Sequence, residues 1–290
     1  PRARRVMTRR SFEGATVLVT GAGGGLGRAL ALRFAAAGAN IVALDKDAGG
    51  IDGLAEALRG RGTACLALPC DVTDAEACST AVTQAVERFQ SLDALVNNAG
   101  MSHRSAFTVT GLDVIRRVMD VNFFGAVNCT KAALPHLIAR RGLIVVVSSV
   151  AGYTPLVART GYAASKHALH GFFDSLRTEL EPQGVDVMVA CPSFIATRID
   201  RNALGGDGEP VRHPQVTVGH PLAPDEAAGQ VLAAAQRGQR LLLVGRTAKA
   251  AWQLNRFAPR LYEFIMARRL RGELESDDAT AGAGTARERK

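Results

Sequence analysis

The stretch from residue 15 to residue 37 limits what this chain can fold into more than any other part of it. Residues 15–19 form a short apolar run typical of a buried strand, and residues 28–37 have the alanine and leucine content of a helix. A glycine-rich turn lies between them. Its backbone N–H groups can approach a diphosphate, and the helix N-terminus adds partial positive charge. We therefore predict dinucleotide binding by Gly21, Gly24, Gly25, Leu26 and Gly27.

Strand-like and helix-like segments alternate along the rest of the chain up to residue 244. Alternation of this kind places parallel strands in one sheet with helices packed against it. We predict a single α/β domain over residues 14–245, with a Rossmann-type doubly wound parallel sheet and helices on both faces. Ligands bind such sheets outside the carboxyl ends of the strands. The candidate residues at predicted strand ends are Gly21, Asp45, Asn98, Ser149 and Pro192.

Asp45 ends the second predicted strand, at residues 41–45. A carboxylate at this point accepts hydrogen bonds from the ribose hydroxyls of an adenosine and repels a 2′-phosphate. Asp45 therefore favours NAD over NADP. Lys46 follows directly and would pair with a 2′-phosphate, so NADP stays open as the alternative, although the glycine turn itself holds no basic residue.

A second stretch that carries chemistry runs from Ser149 to Lys166. Ser149 follows an apolar strand at residues 143–147 and could hydrogen-bond a substrate oxygen. Tyr162 and Lys166 are four residues apart, so on a helix their side chains share one face. A phenol has a usual pKa near ~10, and a neighbouring ammonium favours its phenolate. The spacing alone is a weak signal, but beside Ser149 it makes Tyr162 a candidate general acid/base.

Together these motifs, from about residue 14 to residue 244, resemble those of the short-chain dehydrogenase/reductase family. The resemblance implies that Tyr162 moves a proton, Ser149 holds the substrate oxygen, and Lys166 binds the nicotinamide ribose. It also implies that Asn122 anchors a water in a proton relay, and that no metal is needed. One departure is Pro192-Ser193, where the family has Pro-Gly. The matching motifs are Thr20-Gly-x-x-x-Gly-x-Gly27, Asp71, Asn97-Asn-Ala-Gly100, Asn122, Ser149, Tyr162-x-x-x-Lys166, Pro192 and Thr197.

The same resemblance implies further cofactor contacts and a substrate class. The stretch from Tyr162 to Arg177 looks like the branch that contains hydroxysteroid and related lipid-alcohol dehydrogenases, which implies an apolar substrate. The implied cofactor contacts are Asp71 and Val72 at the adenine, Asn98, Ala99 and Gly100 beside the ribose, and Pro192, Ile195 and Thr197 after the sixth strand, the last two facing the carboxamide.

We predict an enzyme that interconverts a secondary alcohol and a ketone on a steroid- or lipid-like substrate, with NAD preferred. One alternative is an NADPH-dependent ketone reductase. Another is a catalytically silent dinucleotide-binding scaffold, which the joint presence of Asn122, Ser149, Tyr162 and Lys166 disfavours. We expect the protein to form a homodimer or homotetramer.

The positive charge of the chain lies at its two ends. The net charge is +8, with five arginines in residues 1–10, and residues 246–272 hold seven lysines and arginines against Glu263 alone. The remaining body is near neutral and has few aromatic residues, so we expect no nucleic-acid partner. Nucleic-acid binding by the arginine-rich ends is the remaining alternative. We predict a disordered basic leader at residues 1–13 and a disordered tail at residues 273–290.

Residues 246–272 are predicted to form a basic amphipathic helical extension. We expect its apolar face to pack on the same fold or on a sister subunit; the alternative is peripheral contact with an anionic membrane surface. No apolar run reaches ~18 residues and no signal-like stretch follows the basic start, so we expect a cytoplasmic protein, with membrane association left open. Residues 198–222 lack periodicity and are either a lid over the substrate or a surface loop. The apolar positions at helical spacing in the extension are Leu254, Phe257, Leu261, Phe264 and Ile265.

Overall fold

A parallel β-sheet forms the centre of the protein. The computed structural model describes residues 9–197, 202–211, 217 and 219–273. The strands in this part of the chain are β1 (Thr16–Thr20), β2 (Asn40–Asp45), β3 (Cys65–Pro69), β4 (Ala94–Asn97), β5 (Leu143–Val147), β6 (Asp186–Pro192) and β7 (Leu241–Val244). They form one sheet in the order β3-β2-β1-β4-β5-β6-β7, and all neighbouring strands are parallel. The predicted Rossmann-type sheet is thus confirmed.

Helices cover both faces of this sheet. In chain order they are α1 (Gly25–Ala36), α2 (Ala48–Arg59), α3 (Ala75–Phe89), α4 (Leu112–Met119), α5 (Gly125–Arg140), α6 (Thr160–Leu180), α7 (Pro224–Gln236), α8 (Gly245–Phe257) and α9 (Pro259–Arg269). A π-helical turn, Asp120–Phe124, joins α4 to α5.

Successive strand side chains point into two separate apolar cores. In β1, Val17 and Val19 face the core that contains α1, α2 and α7, whereas Leu18 faces the core that contains α3, α5 and α6. All five residues of β1 and of β5 are therefore buried, which explains why these strands read as continuous apolar runs.

The direction of strand addition reverses between β1 and β4. From β1 the chain builds outward through β2 to β3, and from β4 it builds outward through β5 and β6 to β7. In sheets of this kind the crevice for a ligand opens at that reversal, outside the carboxyl ends of the strands. The predicted site residues at the ends of β1, β2, β4, β5 and β6 therefore lie along one edge of the molecule.

The segment at residues 9–13 lies against the body, so the prediction of a disordered leader is wrong for these residues. Phe12 is buried, and its ring packs edge-to-face on Phe34 with centroids 4.8 Å apart. The Arg10 guanidinium contacts the Asp186 carboxylate at 2.8 Å. Phe34 and Asp186 are distant in sequence, so the basic composition of the segment does not predict these contacts. Residues 1–8 lie outside the described residues.

The C-terminal extension consists of α8 and α9, and one of its faces packs on the same fold. Tyr262, Met266 and Leu270 form that face, buried against Leu156 and Val157. Of the predicted apolar positions, Leu254 packs against this face, whereas Phe257, Leu261 and Phe264 are exposed, so the prediction is wrong for these three. None of the described helices has both the length and the apolar composition needed to cross a bilayer.

Two other predictions concern the C-terminal third of the chain. Glu273 is buried, so the prediction that the disordered tail begins at this residue is wrong, while residues 274–290 lie outside the described residues. In the stretch predicted as a lid or loop, Leu204 pairs with His103 and with Pro210 in isolated β-bridges. Residues 198–201, 212–216 and 218 of that stretch lie outside the described part of the chain.

Candidate active site

The glycine turn after β1 is packed so closely that larger residues do not fit at two of its positions. Gly21 has a φ of +65°, and a Cβ there would lie 2.9 Å from the Cα of Ala99. A Cβ at Gly27 would lie 1.9 Å from the carbonyl oxygen of Gly21. Because such distances are below any real contact, these glycines let α1 begin directly against the turn.

The same turn leaves open space on its other side. Gly24 precedes α1, and a Cβ at this residue would meet nothing within 4 Å. Neither a capping side chain nor an acidic residue occupies the first turn of α1. The N–H groups of a helix N-terminus are therefore accessible to an anion, and the residues present fit the diphosphate of a dinucleotide.

Thr20 and Asn98 join the two strands at the reversal point. The Thr20 hydroxyl oxygen accepts hydrogen bonds from the backbone N–H groups of Asn98, at 3.0 Å, and Ala99, at 2.9 Å. The Asn98 side-chain amide donates to the carbonyl oxygens of Thr20 and Gly21, at 3.0 and 3.2 Å. The end of β4 and the glycine turn are thereby fixed to each other.

Asp45, at the end of β2, supports the glycine turn directly. Its Oδ2 accepts a hydrogen bond from the N–H of Gly23 at 2.9 Å, and its Oδ1 accepts one from Asp47 at 3.0 Å. The carboxylate is only partly buried. It can therefore meet a ribose next to the turn while it also holds the backbone of the turn in place.

Asp71 and Val72 lie farther along the same edge, after β3. The Asp71 carboxylate accepts hydrogen bonds from the backbone N–H and the hydroxyl of Thr73, at 2.9 and 2.8 Å. These bonds, with a smaller contribution from the charge of Lys46, hold the pKa of Asp71 below its usual range. Val72 is buried, and its carbonyl oxygen accepts from the Asn128 side chain at 3.0 Å.

Lys166 and Tyr162 lie on one face of α6, as their spacing predicts. The Lys166 ammonium is buried, donates to the carbonyl oxygen of Val147 at 2.9 Å, and lies 5.7 Å from the centre of the Tyr162 ring. Burial lowers the pKa of Lys166 to about 8 because the charged form loses hydration. The bond to Val147 fixes the ammonium at the end of β5, two residues before Ser149.

Ser149 is placed by a short 3₁₀ turn, Val150–Gly152. The Ser149 hydroxyl oxygen accepts a hydrogen bond from the N–H of Ala151 at 3.1 Å. In this bond the hydroxyl acts only as an acceptor, so its hydrogen can be donated to a substrate oxygen.

Asn122 lies in the π-helical turn and holds the backbone next to Gly100. Its side-chain amide accepts from the N–H of Met101 at 2.8 Å and donates to the Met101 carbonyl and to the Ser165 hydroxyl, both at 2.9 Å. A Cβ at Gly100 would lie 3.1 Å from Asn122 Oδ1 and 3.7 Å from Lys166 Nζ. Asn122, Gly100 and Lys166 are therefore neighbours. A π-helical turn of this kind often marks a functional site.

The loop after β6 returns to the glycine turn. Pro192 is the last, buried residue of β6, and Ile195 pairs with Leu222 in an isolated bridge. A Cβ at Gly25, whose φ is +52°, would lie 3.2 Å from the Thr197 side chain. Thr197 therefore stands directly over the start of α1. Strands β2 to β6 lie between these two residues in the sequence, so their proximity is a product of the fold.

A family model described as short chain dehydrogenase matches residues 15–206. The chain belongs to this family. The match covers the glycine turn, Asn122, Ser149, Tyr162 and Lys166, and relatives and solved structures agree with it. The chain is thus a short-chain dehydrogenase/reductase, an oxidoreductase with an NAD(P)-binding fold.

Several relatives carry the description dehydrogenase/reductase SDR family member 7B. The protein from Xenopus laevis is 38% identical over 89% of this chain and 82% of its own length, and the protein from Bos taurus is 38% identical over 90% and 83%. Among solved structures, a short-chain dehydrogenase from Burkholderia cenocepacia in complex with NADP has a TM-score of 0.73 at 27% identity, with 89% of this chain and 99% of that chain covered. One from Burkholderia phymatum in complex with NAD shares the fold, with a TM-score of 0.77 at 24% identity over 87% and 96% of the two chains.

In this short-chain dehydrogenase two residues that were not predicted, Ser165 and His103, also hold the site. Ser165 donates to the carbonyl oxygen of Tyr162 at 2.8 Å and receives the Asn122 amide. Its place one residue before Lys166 and three after Tyr162 could have indicated this role. His103 accepts a hydrogen bond from the N–H of Gly161 at 2.9 Å, at the start of α6. Burial lowers the pKa of His103 to about 4, which keeps the imidazole neutral and able to accept. No sequence signal connects it to α6.

Proposed function

We propose that this short-chain dehydrogenase interconverts a secondary alcohol and a ketone on an apolar, steroid- or lipid-like substrate, and that it prefers NAD to NADP. The observation that carries the proposal is the buried Lys166 ammonium, held at the end of β5 and 5.7 Å from the centre of the Tyr162 ring. A cation fixed beside a phenol, next to Asn122 and Gly100, is an arrangement suited to proton transfer.

The residues of the chain would act as follows. The Ser149 hydroxyl donates a hydrogen bond to the substrate oxygen, and the Tyr162 hydroxyl gives that oxygen a proton in reduction or removes one in oxidation. Lys166 contributes positive charge beside the phenol, and Asn122 holds the backbone at Met101. Both hydrogens of the Asn122 amide are used by the protein, so a relay water would bind at another group of this residue.

A bound nicotinamide nucleotide would supply the hydride donor or acceptor. Its proposed contacts are spread along the edge described above, and the small or backbone-only groups there fit a diphosphate and its riboses. The residues that would hold it are Gly21, Gly24, Gly25, Leu26, Gly27, Asp45, Asp71, Val72, Asn98, Ala99, Gly100, Tyr162, Lys166, Pro192, Ile195 and Thr197.

Exposed apolar side chains in the segment between β4 and α4 support an apolar substrate. Phe107, Val109 and Leu112 lie in the segment that leads from the end of β4 into α4, and all three are exposed. The same segment begins at Gly100, beside Lys166. Large apolar side chains that are exposed can mark the binding place of an apolar ligand or partner.

The proposal is tested by following cofactor reduction with secondary alcohols and cofactor oxidation with the matching ketones. The series should run from small polar alcohols to steroids, with each of the two cofactors. We expect turnover only with the larger apolar members. A protein that binds the cofactor yet turns over no member of the series would instead be a silent dinucleotide-binding scaffold.

We predict that Asp45→Asn shifts cofactor preference toward NADP. Asparagine keeps an acceptor for the N–H of Gly23 but removes the charge that repels a 2′-phosphate. Loss of one such repulsion should change the ratio of the NADP and NAD dissociation constants about tenfold, the equivalent of ~1.4 kcal/mol. Isothermal titration of both cofactors measures this ratio.

The matched control for this variant is Asp47→Asn. Asp47 is two residues away and exposed, and as the N-cap of α2 it can be replaced by asparagine, an equally good cap. The control should leave the ratio unchanged. An equal response of both variants, or none in Asp45→Asn, would remove Asp45 as the selective residue. A wild type that already prefers NADP would support the NADPH-dependent reductase.

We also propose that the exposed face of the C-terminal extension contacts an anionic membrane surface. Phe257, Leu261 and Phe264 are 76%, 50% and 62% exposed, although the opposite face of α9 is packed on the body. The surrounding residues 246–272 hold seven basic residues against one acidic residue. Exposed aromatic groups among basic ones complement lipid headgroups that carry negative charge.

We predict that the protein sediments with vesicles of phosphatidylcholine that contain about one-third phosphatidylserine, and less with phosphatidylcholine alone. The triple variant Phe257→Ser, Leu261→Ser, Phe264→Ser should lose this binding yet stay folded, because the replaced side chains are exposed. Light scattering in the same experiment reports the predicted homodimer or homotetramer. If the triple variant lowers the mass in solution and does not alter sedimentation, the face joins two copies of the chain and the membrane proposal is wrong.

A further inference from the structure

Three buried charged side chains meet at the residues that precede α6. Glu273 follows α9, and its Oε1 lies 3.6 Å from Arg104 Nη1 and 3.5 Å from Arg159 Nη2. The Glu273 side chain is fully buried, and those of the two arginines are 2% exposed. Buried ionic groups cost desolvation energy that apolar groups of the same size would not. The Arg104–Arg159–Glu273 cluster therefore calls for an explanation other than stability.

The cluster stands at the beginning of α6, the helix that carries Tyr162. Arg159 is the residue immediately before α6 and also donates to the carbonyl of Val157 at 3.3 Å. The preceding residue, Ala158, accepts a hydrogen bond from the N–H of Ser105 at 2.9 Å. Arg159 is therefore held by its neighbours only three residues before Tyr162 in the chain.

Arg104 brings a second segment to the same place. It follows His103, whose imidazole accepts the N–H of Gly161 inside the first turn of α6. The backbone N–H of Arg104 donates to the carbonyl oxygen of Leu204 at 2.8 Å. The segment that starts at Gly100, beside Lys166, thus reaches the start of α6 through His103 and Arg104.

The C-terminal extension supplies the carboxylate and covers the loop between Ser149 and Tyr162. The Tyr262 hydroxyl donates to the Thr154 hydroxyl at 3.0 Å, and the Asn255 amide donates to the carbonyl of Tyr153 at 2.9 Å. The Tyr153 hydroxyl in turn donates to the carbonyl of Ala248 at 2.9 Å. Three hydrogen bonds therefore join the extension to this loop, and Glu273 follows the extension in the chain.

From this geometry we infer that Glu273 is a positioning residue, which sets the place of Tyr162 relative to Ser149 through Arg159. A helix N-terminus carries partial positive charge, so the start of α6 repels the Arg159 guanidinium beside it. The Glu273 carboxylate offsets this repulsion and lets Arg159 stay at the start of α6. Without the carboxylate, Arg159 would move away from the start of α6 and displace the residues that lead to Tyr162.

The inference is tested by two measurements, the turnover number and hydrogen exchange. Only the turnover number rests on the proposed function. The variant is Glu273→Gln, which keeps the size of the side chain and removes its charge. We expect the turnover number to fall about tenfold or more, since small displacements of a reacting group are costly, while the dissociation constant of the cofactor stays within about twofold. We also expect faster hydrogen exchange in peptides that contain residues 159–163, which requires no turnover.

The control is Glu263→Gln, the same change at an exposed residue of α9. It should alter neither readout. If Glu273→Gln lowers only the melting temperature and leaves turnover and exchange as in the wild type, the cluster is merely structural and the inference is wrong. If the wild type turns over no alcohol, the proposed function fails, and hydrogen exchange alone decides the positioning of α6.

A double variant, Arg104→Gln with Glu273→Gln, covers the case in which the single variant does not fold. It removes one charge of each sign and so restores the net charge of the cluster. We expect it to fold but to keep the low turnover number and the fast exchange, because Arg159 still lacks its carboxylate. Recovery of wild-type turnover and exchange in the double variant would overturn the inference.

Discussion

Tyr162→Phe should lower the turnover number by about a thousandfold, within the range that a positioned general acid/base contributes, and leave cofactor affinity nearly unchanged. Phenylalanine keeps the ring that faces Lys166, whose Nζ lies 5.7 Å from the ring centre, and removes only the hydroxyl. Steady-state kinetics with the best alcohol of the series, together with titration of the cofactor, separate the two effects.

Tyr153→Phe is the matched control for this prediction. It also removes one phenolic hydroxyl close to the site, but that hydroxyl donates to the carbonyl of Ala248. We expect a lower melting temperature and a turnover number within a few-fold of the wild type. Full activity in Tyr162→Phe would show that another group carries the proton, and the proposed roles of Ser149 and Lys166 would then need revision.

Gly27→Ala should abolish cofactor binding and destabilise the fold. The added Cβ would lie 1.9 Å from the carbonyl oxygen of Gly21 and 2.5 Å from the Asn98 amide, both of which belong to the fixed contact between β1 and β4. Insertion of one methyl group into a tightly packed place costs about 1–3 kcal/mol or more, because the neighbours must shift. Here the shift would move the diphosphate-binding turn itself. Thermal unfolding and cofactor titration measure the two consequences.

Gly53→Ala is the control for the glycine variant. Gly53 lies inside α2, and a Cβ there would meet nothing within 4 Å. Alanine is about 1 kcal/mol better than glycine in a helix interior, so this variant should be slightly more stable than the wild type and bind the cofactor equally well. If Gly27→Ala also keeps its melting temperature and its cofactor affinity, cofactor binding does not depend on the close approach of α1 to the glycine turn.

The sheet and the position of the site followed from local patterns in the sequence. A continuous apolar strand such as β5 and the glycine turn before α1 are signals within a few residues, and parallel topology then puts the strand ends on one edge. Tyr162 and Lys166 share a face of α6 because a helix has a fixed period. Each of these inferences needs only local chain geometry.

The parts that were predicted wrongly depend on contacts between distant segments. Phe257, Leu261 and Phe264 have helical spacing, but the face that packs uses Tyr262, Met266 and Leu270. Helical spacing alone does not show which of two apolar faces packs against the rest of the protein. The sequence predicts a disordered tail from Glu273 because nothing near this residue indicates Arg104 or Arg159, which lie more than a hundred residues before it.

The reversal of strand order at β1 and β4 has an evolutionary consequence. The segments proposed to grip the nucleotide come mainly from the first hundred residues, whereas the loop that follows Ser149, the segment around Leu204 and α8–α9 all come later in the chain. A gene that encodes this layout can acquire new substrate preferences through changes that lie mostly after its first hundred codons. The nucleotide-binding segments in the first hundred residues would stay unchanged in such variants.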